Sequence, residues 1–249
     1  MHDLIFTIGP GIILICALAC CAASWCPSSK AGKALAWLCF LGLCAMAWTS
    51  WDQVHRLPVY GLFEGSLHMA LILSLCLVLG LFSRDFRDRT GILAWGHGLI
   101  ACLMVLALTV PGHFNPDFYM YQALQVQLFF ALRLTAGGIL LWASLLFLAA
   151  WVPRRFGSKE NGAEGIRPAI SALILGSIFF LSSELSGTIW CMQGWGDTWH
   201  WSRNFFESAG MFLLLMLPLH LPFWSRRNTI RAVTGTFCSL AVVLLIMTP

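Results

Sequence analysis

Residues 121–151 read YQALQVQLFFALRLTAGGILLWASLLFLAAW and decide the class of the fold. Arg133 is the only charged residue in this segment. A bilayer has a hydrocarbon core about 30 Å thick, which about 20 consecutive apolar residues cross as a helix. The segment is longer than that, so we predict a transmembrane helix that tilts or projects from the bilayer.

Seven further apolar runs are bounded by polar residues, proline or glycine, at residues 4–24, 33–50, 60–82, 91–110, 168–190, 206–224 and 230–248. With 59% hydrophobic and 10% charged residues, the chain has too few charges to cover a water-soluble globule of 249 residues. Because lipid cannot satisfy free backbone groups, and no alternating strand pattern is present, the runs are predicted to be helices. We predict an all-α, polytopic integral membrane helical bundle of about eight transmembrane helices, in a single membrane domain over residues 1–249.

The basic residues predict the orientation of the bundle. Cytoplasmic loops are enriched in Lys and Arg. Twelve of the fifteen basic residues lie in or beside loops 25–32, 83–90, 152–167 and 225–229, namely Lys30, Lys33, Arg84, Arg87, Arg89, Arg154, Arg155, Lys159, Arg167, Arg226, Arg227 and Arg231. These loops are therefore predicted to be cytoplasmic, and both termini are predicted to lie on the outer face.

The charge and the cysteines do not predict a nucleic-acid-binding protein or a protein with a CxxC or CxxCH motif. The formal net charge of +4 does not predict a nucleic-acid partner, because the basic residues sit in short loops between apolar runs. The ten cysteines form neither a CxxC nor a CxxCH motif and are predicted to be small buried hydrophobic residues. Run 4–24 follows no basic segment, so we predict a first transmembrane helix and not a signal peptide.

The segment between the sixth and seventh runs is rich in tryptophan. Residues 186–208 read SGTIWCMQGWGDTWHWSRNFFES, and we predict an external loop over 187–207. Tryptophan is enriched at lipid–water interfaces, which would explain any one of these residues alone. Four tryptophans around a glycine and a histidine instead suggest a shelf for a flat, apolar macrocycle such as haem, with an imidazole nearby to ligate the iron.

This pattern resembles the WWD-domain family of cytochrome c assembly proteins, of the CcsA, ResC and CcmC type. The family's Gly-x-x-Trp and Trp-Gly-x-x-Trp-x-Trp-Asp are matched by Gly187, Trp190, Trp195, Gly196, Trp199 and Trp201. PVYGLFEGSL, residues 58–67, resembles the family's Pro-x-x-x-Leu-Tyr-Glu-Ser-Leu, with Glu64 at the glutamate. Leu219-His220 resembles the Leu-His of CcsA-type members, whose histidine is a transmembrane haem ligand.

The chain also departs from the family's pattern. Ser202, Arg203, Asn204 and Phe205 stand where the family has Asp-Pro-Lys-Glu, so Glu207 is the nearest substitute for the missing carboxylates. The external histidines of CcsA-type members, at the start of the fifth span and near the C-terminus, have no counterpart. The resemblance therefore implies haem handling more strongly than haem attachment.

Histidines are the candidate iron ligands. On the predicted topology His113 and His200 face outward, and either would replace a missing external ligand. His97 and His220 are predicted at similar depth in the membrane, where together they would form a bis-histidine site for haem b. The alternative for each is an ordinary histidine at the interface or bonded to a backbone carbonyl.

Charged residues inside the predicted helices complete the candidate set, because a charge in hydrocarbon needs a partner or a function. Glu64 and His68 are one helical turn apart, so pairing would satisfy both. Arg133 is predicted to face either Glu184 or a haem propionate. The predicted cofactor-binding residues are Trp190, Trp195, Gly196, Trp199, Trp201, Glu64 and Arg133, and the predicted iron ligands are His220, His97, His113 and His200.

The resemblance implies a haem-handling protein of cytochrome c biogenesis in a bacterial inner (cytoplasmic) membrane, with the tryptophan-rich loop on the periplasmic or outer face. It implies haem b as cofactor, and apocytochrome c and a second membrane subunit with a large external domain as partners. Whether the chain is part of a cytochrome c haem lyase (synthase) complex stays open. The alternatives are a haem-binding regulator or accessory membrane subunit without ligation activity, and a cytochrome b-like electron carrier.

Overall fold

The computed structural model describes residues 2–24, 30–82, 90–110, 122–152, 163–197, 203–221 and 227–248. Nearly all of these residues are helical, and no strand occurs among them. The helices, in chain order, are α1 (His2–Ser24), α2 (Lys30–Val54), α3 (Gly61–Phe82), α4 (Thr90–Thr109), α5 (Leu124–Trp151), α6 (Ala163–Trp195), α7 (Arg203–His220) and α8 (Arg227–Met247). The predicted fold class, a polytopic helical membrane protein, is confirmed.

Each predicted span coincides with one helix, and the largest difference is in α6. The apolar run predicted residues 168–190, whereas the helix begins at Ala163 and ends at Trp195. A helix continues for as long as backbone N–H groups find carbonyls four residues earlier, whether or not the side chains are apolar. Hydropathy therefore located the helix correctly and underestimated its length.

The surface of the bundle suits lipid. Six helices, α2 to α6 and α8, are long and apolar enough by length and composition to cross a membrane, among the residues that the structure describes. Helices α1 and α7 contain the shorter apolar segments Ile8–Ala23 and Phe205–His220. Trp48 on α2 is 73% exposed and Leu213 on α7 is 67% exposed, which is unfavourable in water and ordinary in a bilayer. Eight complete crossings, with both termini outside, stay a prediction.

Helix α5 lies at the centre of the bundle. It packs most extensively against α6 and also against α8 and α3. Helix α1 packs against α2 and α4, and α3 packs against α2 and α4, so these four helices form one side of the molecule. Helix α7 packs mainly against α8 and only slightly against α6. The side of α7 that faces away from α8 is consequently little covered by the other described helices.

Glycine lets α5 approach α3 closely. A Cβ atom at Gly138 would lie 2.6 Å from Cβ of Ile72 and 3.1 Å from the backbone oxygen of Met69. Neither neighbour can rotate away as the tip of a long side chain can. Because lipid gives no hydrophobic force between helices, association depends on this kind of close backbone packing.

We predict that Gly138→Ala destabilises the bundle by about 1–3 kcal/mol, the usual cost of overpacking a filled interior. Gly98→Ala is the matched control, because a Cβ at Gly98 of α4 meets nothing within 4 Å. The measurement is denaturant unfolding of the purified variants in detergent. Equal stability of the two variants would show that the α3–α5 contact is not tight.

Candidate functional site

Four helix ends meet at the end of the bundle that is predicted to face outward: the starts of α3, α5 and α7 and the end of α6. The Ser186 hydroxyl of α6 donates a hydrogen bond of 2.9 Å to the backbone oxygen of Gln125 at the start of α5. A Cβ at Gly187 would lie 2.9 Å from a ring carbon of Phe129. The glycine that opens the tryptophan pattern therefore has a packing role, since it brings the end of α6 against α5.

The tryptophan-rich segment is mostly helical. Trp190 and Trp195 lie on the last turns of α6, with ring centroids 4.8 Å apart and ring planes at 74°. Trp195 is 55% exposed. The predicted external loop over 187–207 is therefore wrong in extent, because its first nine residues belong to α6 and its last five to α7. Helical backbone holds these two indole rings more rigidly than a loop would.

Gly196 ends α6. Its φ angle is +73°, which L side chains rarely adopt, and its N–H donates a hydrogen bond of 3.0 Å to the backbone oxygen of Met192. A glycine in left-handed conformation directly after the last helical residue is a common helix terminator. The structure thus gives Gly196, a predicted cofactor-binding residue, a local conformational role.

Arg133 belongs to a mostly buried polar cluster between α5, α6 and α7. Its Nη1 is 3.8 Å from Oε1 of Glu184, so the predicted pairing with Glu184 is confirmed. Its Nη2 donates a hydrogen bond of 3.3 Å to Oγ of Ser208, and the guanidinium lies over the ring of Phe129 at 5.1 Å. The side chains of Arg133 and Glu184 are 15% and 13% exposed. These contacts are long for a guanidinium, which has five N–H donors.

Glu64 makes a different and much tighter set of contacts. Arg56 Nη1 and Nη2 donate hydrogen bonds of 2.9 and 3.1 Å to its two carboxylate oxygens. The Tyr60 N–H donates a third of 2.8 Å, which satisfies a free donor at the start of α3. The exposed fractions of the two side chains are 3% for Arg56 and 0% for Glu64. Glu64 organises the loop before α3 and offers no open surface to a cofactor.

The expected pairing of Glu64 with His68 is wrong. His68 Nε2 instead lies 3.0 Å from Oγ1 of Thr135 on α5, and the two groups share a hydrogen bond. The spacing in the sequence predicted a pair on one helix. In the structure, Glu64 bonds to Arg56 of the preceding loop and His68 bonds to Thr135 of α5. Arg56 was missed because it stands in a short loop, where an arginine is ordinarily exposed.

His97 and His220 have the same local geometry but different surroundings. In each, Nδ1 lies 2.8 Å from the backbone oxygen four residues earlier, in Leu93 or Met216. Because a carbonyl oxygen only accepts, Nδ1 carries the hydrogen and Nε2 has the free lone pair. His97 is fully buried on α4, whereas His220 is exposed at the end of α7. The structure does not favour a haem held between the two.

His220 opens into an apolar groove along α7. The groove has a volume of 750 Å³ and is lined by Glu207, Gly210, Leu213, Leu214, Met216, Leu217, His220 and Leu245. A ligating histidine usually donates its other ring N–H to a carbonyl or carboxylate, as His220 does to Met216. Sites for small molecules and cofactors are apolar clefts of about 300–1,000 Å³ with a few polar groups. The groove is shallow and open, and its lining, apolar apart from Glu207 and His220, would suit one face of a haem with His220 as an axial ligand.

Four predicted site residues, Trp199, Trp201, His113 and His200, lie outside the described residues. Within the described ranges no group of three or more His, Cys, Asp or Glu side chains is arranged to hold a metal ion. A haem needs only one or two protein ligands, so the groove at His220 is the candidate site that the described part of the chain provides.

Comparisons with known proteins identify the fold. No protein-family model matches the chain, and no curated protein matches it. Among solved structures, the chain is similar to Cytochrome c Heme Lyase CcmF, with a TM-score of 0.69 and 17% sequence identity. The similarity covers 99% of this chain and 45% of that one, so this chain spans less than half the length of CcmF. At this identity the comparison establishes a shared arrangement of membrane helices.

We predict that Glu64→Ala lowers the free energy of unfolding by about 3–5 kcal/mol, because it leaves the buried Arg56 guanidinium without its counter-charge. The double variant Arg56→Met/Glu64→Leu is expected to lose much less, since both charges are removed together. Unfolding of the purified variants in detergent measures both effects. A double variant as unstable as Glu64→Ala would show that the cost is not electrostatic.

Proposed function

We propose that this protein is a haem-handling membrane component of cytochrome c biogenesis, which presents haem beside the end of α6 for attachment to apocytochrome c. The observation that carries the proposal is the Trp190–Trp195 pair at the end of α6, in which Trp190 packs partly buried against the core and Trp195 is 55% exposed. The helix arrangement shared with Cytochrome c Heme Lyase CcmF supports it. The membrane would be a bacterial inner membrane, with this end of the bundle on the periplasmic side.

Trp195 and His220 would have different roles in binding haem. Bound haem supplies the macrocycle that becomes attached to cysteine thiols of the apocytochrome, so this chain need only bind and orient it. Trp195 offers an apolar ring face beside the predicted outer surface, where a partner protein has access. His220 offers an axial nitrogen for haem b at the other end of α7. Trp195 ends α6 at the predicted outer end of the bundle and His220 ends α7 at the opposite end, so the two would serve different haem positions.

Arg133 is suited to contact an anionic group near the tryptophan pair. Its shortest hydrogen bond is 3.3 Å and its distance to Glu184 is 3.8 Å, so the guanidinium is held without being saturated. Arginine binds carboxylates through two parallel N–H donors. A haem propionate reaching this cluster would find donors already oriented by Phe129 and Ser208.

A second subunit is part of the proposal. This chain spans less than half the length of CcmF. Helix α7 also leaves apolar side chains uncovered outside the groove, with Phe206 and Phe212 exposed. We propose that a membrane subunit with a large external domain completes the assembly and brings the apocytochrome to the tryptophan pair.

The alternative function is a haem-binding regulator or accessory subunit without ligation activity. It is favoured by one observation: in the described parts of α6 and α7, no histidine lies beside the tryptophan pair. Deletion of the gene separates the two functions. Loss of covalent c-type haem from the cell supports attachment, and unchanged c-type haem with altered haem levels supports regulation.

We predict that the purified wild-type protein has a b-type pyridine haemochrome spectrum and that His220→Ala lowers the bound haem at least about 10-fold, because the axial ligand is removed. His55→Ala is the control, since His55 is an exposed histidine outside the groove. Wild-type protein that contains no haem after expression with added haem precursor would contradict the proposal. Equal haem in both variants would contradict only the assignment of His220.

We predict that Trp195→Leu reduces covalent c-type haem formation in cells while leaving the b-type haem of the purified protein unchanged, because Trp195 lies on α6 and not in the groove. Trp48→Leu is matched to it, since Trp48 is also an exposed tryptophan. Haem staining of a reporter cytochrome c, normalised to protein, is the measurement. Equal effects of the two substitutions would show that Trp195 is an ordinary interfacial residue.

A further inference from the structure

The end of α7 that carries His220 is intrinsically weak. The last four carbonyl groups of any helix have no intrahelical partner. In α7 the helix also contains Pro218, which has no N–H to donate to the carbonyl of Leu214. A histidine on such an end would not keep one orientation unless another part of the protein held the backbone in place.

Arg231 of α8 supplies that support. Its Nε donates a hydrogen bond of 2.8 Å to the backbone oxygen of Pro218, and its Nη2 donates one of 3.2 Å to that of Leu219. The residue is only 2% exposed. One buried side chain thus binds two of the free carbonyls of α7, in the two positions directly before His220. A cation at a helix C-terminus is also favoured by the helix dipole.

Arg231 and the His220 ring both bond to the backbone of the last turn of α7. Nδ1 of His220 donates to the backbone oxygen of Met216, so the ring is tied to the same turn that Arg231 holds. Nε2 then keeps its lone pair, and His220 is one of the residues that line the groove. The backbone position at residues 218 and 219 and the ring position at 220 are therefore coupled.

We propose that Arg231 is a positioning residue for the His220 imidazole, which it holds in the orientation required to ligate a haem iron in the α7–α8 groove. The inference rests on the proposed haem-binding function and goes beyond it, because Arg231 itself does not line the groove. The sequence pattern attributes Arg231 to membrane topology, whereas its burial and its two carbonyl contacts give it this role. Lysine cannot replace it fully, since an ammonium group lacks the planar fork that reaches two carbonyls at once.

The test compares ferric haem in wild type, Arg231→Met, Arg231→Lys and His220→Ala, purified in detergent and matched for folded protein by size-exclusion elution. We expect Arg231→Met to weaken haem retention by on the order of 10- to 100-fold, the usual effect of losing a residue that orients a ligand. The haem that remains is expected to have its Soret band displaced towards that of the residual haem in His220→Ala, because the imidazole no longer holds the iron. Arg231→Lys should be intermediate.

Thr236→Val is the matched control on α8, because Thr236 is buried but bonds only within its own helix, to the backbone oxygen of Ala232 at 2.9 Å. A merely structural role for Arg231 would lower the yield of Arg231→Met while the folded fraction kept the wild-type spectrum, and that result would overturn the inference. A wild-type protein without haem would overturn the proposed function as well. Haem that depends on His220 but not on Arg231 would overturn the positioning role alone.

Discussion

The requirement that every backbone N–H and C=O be paired inside a bilayer governs this structure. It favours helices, in which the backbone groups pair within the segment. At the helix ends, however, the first N–H groups and the last C=O groups have no partner within the helix and need one from elsewhere. Polar or unusual residues occur at several of these ends. Glu64 accepts from Tyr60 at the start of α3, Gly196 closes α6, and Arg231 binds the last turn of α7.

The candidate functional residues lie at the same helix ends. Trp195 is the last residue of α6 and His220 the last of α7. An end position gives a side chain access to solvent, partner or ligand while the rest of the helix stays packed. In the proposed function, the Arg231 contacts that satisfy the backbone at the end of α7 also orient His220.

Helix α5 contacts both sides of the molecule and holds them in fixed positions relative to each other. Gly138 brings it against α3, and Phe129 meets Gly187 of α6. At its start, the Gln127 side chain accepts a hydrogen bond of 3.3 Å from the backbone of Leu57, and the Phe130 ring packs edge-on against Tyr60. The loop held by Arg56 and Glu64 is thus fixed to the helix that also carries Arg133. The two ion pairs differ in their distances: Arg56–Glu64 is 2.9 Å, whereas Arg133–Glu184 is 3.8 Å.

The amino-acid sequence by itself determined the fold class and the location of all the helices in the described ranges. Each segment that crosses lipid must itself be apolar along its length, so the helices are visible as apolar runs. It also identified the tryptophan-rich segment, and it gave Glu184 as one of two candidate partners of Arg133. The tertiary structure decided which partners the polar groups have. Arg56 with Glu64, His68 with Thr135, and Arg231 with the end of α7 join residues 8 to 67 positions apart. Such contacts depend on how helices pack, and no periodicity in the sequence records that packing.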